Sequence, residues 1–230
     1  MKNQTLKLYG LTLDQINQEL DALELDKKTI KTYVKEKYLD AFLFVEAKNN
    51  DEEKFTSQVA KIVSAFSKYL YADRDISLYE RLYEVLYIRN KTIALMEQGT
   101  GGIITSNLLA FDGSEKTVKA SYIMPSVKTM IDHFDLNPFK FTANHGVCGE
   151  IAFDIASHIR SRIVADLYVV CVSSLAEGNN LYYNGNNISY VAIGMESGVK
   201  IFKIESDAKK RDMMNQVAKT ICFKLINILK

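Results

Sequence analysis

Apolar residues recur along this chain in two periods, and the switches between them mark out the elements. Thr5–Tyr9 alternates and stops at Gly10, which predicts a short strand. Ile16, Leu20 and Leu23 then recur at three to four, a helix that Thr12 or Asp14 can cap. Lys27–Lys37 is polar and heavily charged, and its pattern predicts neither element. Leu39–Ala47 reads as a strand. Phe55, Val59, Ile62, Val63 and Phe66 trace a second amphipathic helix, with Leu70–Ala72 as a short strand after it.

Ser77-Leu78-Tyr79-Glu80 fits a capping box, opening a helix whose stripe is Leu78, Leu82, Val85 and Leu86. Tyr79, Tyr83 and Tyr87 form a second stripe on it. Such a stripe could stack bases, but it reads better as a half-buried face at a domain or subunit boundary.

Beyond it the pattern alternates helix and strand. Strands are expected over Thr92–Met96, Thr117–Met124, Leu167–Val172, Ile188–Ile193 and Val199–Ile204. Helices are expected from Ile103, over Ser126–Phe134, within Gly146–Ile163 and over about Asp207–Leu229. Phe139–His145 reads as irregular and Ala176–Asn187 as a loop. The chain thus divides into a small α+β domain at 1–75 and an αβα layered α/β domain with a mixed sheet at 76–230.

Composition changes this picture little. With 230 residues and 47% hydrophobic content the chain can bury a sizeable core. A net charge of +1 gives no argument for nucleic acid or an anionic membrane, so neither is expected as a partner. No apolar run approaches the ~20 residues that span a bilayer. Met1–Thr5 is polar and no apolar signal segment follows. Cys148, Cys171 and Cys222 lack CxxC spacing and read as reduced core thiols of a cytoplasmic protein. No metal or cofactor constellation is visible.

The stretch that carries candidate chemistry is Thr92–Asn107, TIALMEQGTGGIITSN. It reads as a buried strand, a turn with three glycines in four positions, and a helix. That geometry aims unpaired backbone N–H groups forward, where anions are favoured. It has neither the Gly-Lys-Ser/Thr ending of a Walker loop nor Gly-x-Gly-x-x-Gly spacing. A tight βα connection without a ligand fits the spacing equally well.

Ile93–Gly102 resembles the alanine-glutamate-serine-cysteine-threonine-glycine-glycine signature of the CinA family's C-terminal domain, the nicotinamide-nucleotide amidohydrolase. Glu97, Thr100, Gly101 and Gly102 match; Met96, Gln98 and Gly99 do not. Tyr122 with Lys128 resembles the family's tyrosine-serine-asparagine-x-x-lysine run, one residue longer here. His145-Gly146-Val147 and Ala165-Asp166 also match family stretches. The family's threonine-glycine-isoleucine-alanine-glycine-proline loop becomes Ser173–Gly178, which keeps little beyond Ala176. Arg211 falls close to a family arginine. Residues 1–72 resemble, weakly, the KH-type domain that precedes this one in longer members, although no Gly-x-x-Gly loop occurs before residue 99. A packing module is the reading preferred there.

The resemblance implies hydrolysis of nicotinamide mononucleotide to nicotinic acid mononucleotide and ammonia, with a serine nucleophile and a lysine base. A hydroxyl attacks only when a base within reach takes its proton. Here the serine's position is Gln98, which cannot attack. Candidate catalytic residues are Lys128, Tyr122 and Thr100, with Ser106 a further hydroxyl. Candidate ligand-binding residues are Glu97, Gln98, Gly99, Gly101, Gly102, Ser173, Ser174 and Arg211. Thr100 reads equally as a helix N-cap, Lys128 as a solvated lysine and His145 as a packed histidine. Two readings follow: a nicotinamide mononucleotide deamidase with reduced or lost activity, or a non-catalytic nucleotide-binding or oligomeric scaffold. A homo-oligomer and a nicotinamide-mononucleotide-like ligand are the expected partners.

Overall fold

The computed structural model describes residues 2–143, 146–173, 187–206 and 210–230. The chain falls into two compact units, Met1–Arg81 and Leu82–Lys230.

The first unit runs β1 (Asn3–Tyr9), α1 (Leu13–Ala22), β2 (Ile30–Lys37), β3 (Asp40–Ala47), α2 (Glu52–Ala65) and β4 (Leu70–Ala72). Its antiparallel sheet has the order β2-β3-β1-β4. This is the split βαβ arrangement. It is the α+β unit the periodicity predicts; a specifically KH-like character has no support in this topology. Leu6 and Leu8 of β1 and Leu43 and Val45 of β3 pack beneath Ile16 of α1 and Ile62 of α2. Both helices are capped as their sequences allow. Thr12 and Gln15 form a reciprocal capping box, and Asp51 accepts from the Lys54 N–H.

The charged stretch without a clear pattern is β2. Ile30 is buried and Thr32 and Val34 are half-buried, while Lys31, Tyr33, Lys35 and Lys37 face outward. An edge strand tolerates such charge, which also hinders stray pairing. Leu39 is not in a strand. Tyr38 and Leu39 have φ of 57° and 62° and make the two-residue turn between Lys37 and Asp40. Positive φ at both positions matches the right-handed twist of the flanking strands.

The second unit contains α3 (Leu78–Ile88), which begins just before it, then β5 (Ile93–Glu97), α4 (Ile103–Leu108), β6 (Val118–Tyr122), α5 (Val127–Phe134), α6 (Pro138–Ala143), α7 (Gly149–Arg162), β7 (Leu167–Ser173), β8 (Ile188–Met195), β9 (Gly198–Glu205) and α8 (Lys210–Ile228). The sheet order is β6-β5-β7-β8-β9. β5 pairs in parallel with β6 and β7, and β7-β8-β9 is antiparallel. The mixed α/β sheet of the sequence reading is present.

The segment read as irregular contains a helix, α6. Pro138 opens it, where its missing N–H costs nothing and its fixed φ suits the helix. Its single buried anchor, Phe141, is too little for an apolar period to show.

The pleat sorts the central strands onto two faces. Ala94, Met96, Tyr168, Val170, Val172 and Ala192 pack with Met130 and Phe134 of α5 and with Ile151, Ile155 and Ile159 of α7. The intervening residues, among them Leu95, Glu97, Val169 and Cys171, therefore point to the other face. There α4 contacts both α8 and β5. In α8, Met213, Val217, Ile221, Cys222 and Leu225 are buried. No described helix is long and apolar enough to cross a membrane.

Candidate functional site: the turn after β5

β5 is buried along its whole length and ends at Glu97, which is itself only 1% exposed. A buried carboxylate is costly unless its oxygens are hydrogen-bonded. Here they are. One oxygen accepts from the Thr100 hydroxyl at 2.6 Å and the Ile104 N–H at 3.0 Å. The other accepts from the Thr105 N–H at 2.7 Å and the Thr105 hydroxyl at 2.5 Å. Thr105 Oγ1 also lies 2.6 Å from Ser121 Oγ. Since the Thr105 proton goes to Glu97, Ser121 donates, giving a relay from Ser121 through Thr105 to Glu97.

The anion favoured at the start of α4 is therefore the chain's own Glu97. The amides of Ile104 and Thr105, expected to await a ligand, are taken by it. Thr100 is not the helix N-cap. That position is Gly102, with φ 86° and no side-chain cap bond. Thr100 caps Glu97 instead, and with 0% exposure its hydroxyl is out of reach of substrate. Ser106 is exposed, and its hydroxyl donates to the Ile103 carbonyl.

Gln98 and Gly99 turn the chain toward β7. Both backbone N–H groups donate to the Cys171 carbonyl, at 3.1 and 3.0 Å. The Gln98 side-chain oxygen accepts the Ser173 N–H at 2.7 Å. Ser173 and Ser189, both buried, share a hydrogen bond of 2.5 Å between their hydroxyls. Gly99 is required by close approach, because a Cβ there would stand 1.9 Å from Ser173 Oγ and 2.9 Å from Cys171 Sγ. Gly101, with φ 59°, lies under Met214 of α8, where a Cβ would be 2.6 Å from the thioether methyl. Arg211, exposed, is one turn before Met214.

Two of the expected catalytic residues lie elsewhere. Tyr122 belongs to the opposite face of the sheet, packed against Phe134 and His133 with ring centroids 5.7 and 5.4 Å away. Lys128 is exposed on α5, the helix whose Met130 and Phe134 join that opposite face. Among the described residues no hydrogen bond or ring contact joins either to Glu97–Gly102. Ser174, His145 and Ala176 lie outside the described residues. Thr105, Ser121 and Ser189 join the cluster without a sequence signal, being single hydroxyls that the pleat brings to one side.

Asp166, matched by resemblance, ties together the starts of the parallel strands β5 and β7. It accepts from Lys91 Nζ at 2.8 Å and from the Thr92 N–H and hydroxyl at 2.9 and 2.8 Å. Burial raises its pKa, but these bonds outweigh that and hold it below the ordinary carboxylate value. It lines a cleft of about 740 Å³ with Lys91, Arg160, Glu196 and Leu229.

Neither buried thiol is set up as a nucleophile. Burial, with Glu97 nearby, pushes Cys171 up to about 12, and burial raises Cys222 likewise. Only Cys148 is partly exposed. A native thiol titration at pH 8 is expected to find one reactive group, and three after denaturation. Rapid modification of Cys171 in the native protein would contradict this burial.

Residues 75–229 match the family model described as the CinA C-terminal domain. The chain is similar to the CinA-like protein of Prochlorococcus marinus strain AS9601, 27% identical over 75% of this chain and 41% of that protein. It is also similar to the putative competence-damage inducible protein of Halothermothrix orenii, 26% identical over 70% and 40%. The chain thus spans about two fifths of the length of these curated relatives. Among solved structures, the competence-damaged protein (CinA) superfamily protein from Enterobacter cloacae aligns with a TM-score of 0.59 at 16% identity, covering 70% of this chain and 97% of that one. The competence or damage-inducible protein from Enterobacter asburiae gives 0.58 at 15% identity, over 66% and 96%. These structures share the fold of the second unit, and with about two thirds of its length matched by the family model, the chain belongs to the CinA family.

Proposed function

We propose that this chain is a CinA-family relative of the nicotinamide mononucleotide deamidases in which amide hydrolysis is lost or very slow. The observation that carries the reading is Gln98. It stands where the resemblance implies a serine, and its side-chain oxygen is already bonded to the Ser173 N–H. An amide side chain supplies no nucleophile. The nearest hydroxyl in the motif, Thr100, is fully buried and donates its hydrogen bond to Glu97. Lys128 is exposed, whereas a lysine acting as base relies on desolvation. The three unpaired cysteines accord with a cytoplasmic protein.

The test is ammonia release from nicotinamide mononucleotide by the purified chain. A hydrolase of the serine type stripped of its nucleophile keeps only ~10³–10⁴-fold acceleration over water, so no release above a heat-inactivated control is expected. Gln98→Ser alone is expected not to restore turnover, because Tyr122 packs with the α5 and α7 core and Lys128 is exposed. Steady turnover of about 1 s⁻¹ or more by the unmodified protein would overturn the reading.

A further inference from the structure

α1 and α2 pack on one face of the first unit's sheet. On the other face the strand register aligns side chains into rows. Phe44 sits between Tyr33 of β2 and Thr5 of β1, and Phe42 sits between Lys35 and Lys7. The rings of Phe42 and Phe44 are nearly parallel, 6° apart in plane with centroids 6.1 Å apart. Tyr33 is 6.3 Å beyond Phe44. Lys31 Nζ lies 4.5 Å from the Tyr33 ring, and Lys7 Nζ lies 5.5 Å from Phe42. Tyr33 is 43% exposed, and both phenylalanines keep part of their surface in water. The alternate residues Ile30, Leu43 and Val45 of the same strands face the helices instead.

We propose that this face binds single-stranded nucleic acid by stacking bases on Phe42, Phe44 and Tyr33. Four-stranded sheets of the RNA-recognition type use this device, with aromatics two apart on one central strand. β3 reads D-A-F-L-F-V-E-A, and Phe42, Phe44 and Val45 fall in the order that such strands use. Asp40, Ala41, Leu43 and Ala47 depart from the pattern, and β1 offers Lys7 where an aromatic is usual. Rings about 6 Å apart suit bases splayed from one another rather than stacked together.

Charge sets the strength. Lys7, Lys31, Lys35 and Lys37 surround the rings, but Lys7 pairs with Asp75 at 3.5 Å, and Glu46 and Asp40 share the face. The phosphate contribution is small, in keeping with the near-neutral chain. Stacking, at roughly tenfold in affinity per base, carries the binding. A Kd of tens of micromolar is expected, at ~10–100 µM, with a shallow salt dependence.

The experiment titrates the full chain into fluorescein-labelled oligouridylate and oligothymidylate of about eight nucleotides, followed by anisotropy. Both are expected to bind. Tyr33→Ala, at the exposed edge, is expected to weaken binding by about tenfold. Phe44→Leu is expected to do the same, with circular dichroism showing the fold retained. Tyr87→Ala, outside the face, is expected to change nothing. No binding up to ~1 mM would overturn the proposal. So would unchanged affinity in folded Tyr33→Ala and Phe44→Leu, or equal binding of a duplex of the same length. A shift in oligomeric state of Tyr33→Ala by light scattering would also overturn it, since the face would then belong to a second copy.

Discussion

Replacing Glu97 by alanine is expected to destabilise the second unit by about 4 kcal/mol, the largest effect of any single polar substitution here. The substitution leaves two backbone amides and two hydroxyls without their acceptor at a buried site. Each orphaned buried donor costs roughly 1–3 kcal/mol, with partial relaxation keeping the total below the sum. Glu97→Gln keeps the shape and one acceptor oxygen but turns an NH₂ group toward donors. It is expected to cost about half as much. Urea denaturation reads both. If Glu97→Ala changed the midpoint no more than an exposed carboxylate such as Glu115→Ala, the carboxylate would not be the anchor of this turn.

Gly99→Ala is expected to cost about 3 kcal/mol, for a different reason. The added methyl would overlap the Ser173 side chain and crowd Cys171. Ser173 has little room to retreat, because its hydroxyl is bonded to Ser189 and its N–H to Gln98 on a central strand. The strain should be relieved in part by Ser173→Gly, which removes both of the nearest Ser173 atoms. A double-mutant cycle on unfolding free energy is expected to give a favourable coupling of about 1–2 kcal/mol. Simple additivity would mean that the close approach of the two residues is not what fixes glycine at 99.

Periodicity by itself determined the parts whose burial is one-sided. The helix anchored by Ile16 and Leu20 and the one anchored by Ile62 announced themselves because only one stripe meets the core. The apolar run in β7 announced a central strand covered on both faces. The glycine-rich turn and its family were legible too, because the backbone there needs positive φ at Gly101 and Gly102. What stayed hidden were elements whose burial is slight. β2 carries its lysines on an open face, and α6 has one anchor.

The site was legible as a location and not as an arrangement. Sequence placed Tyr122, Lys128 and Thr100 together by resemblance. Strand parity then sent Tyr122 to one side of the sheet and Glu97 to the other, since alternate residues point in opposite directions. Only the tertiary structure could decide which anion the α4 amides hold. A free N–H is satisfied by whatever acceptor is nearest in space. That acceptor is Glu97, because the tight turn folds β5 back against the start of α4. The same holds for the aromatic face of the first unit. Tyr33 and Phe44 are eleven residues apart in sequence, and only the register of β2 on β3 makes them one surface.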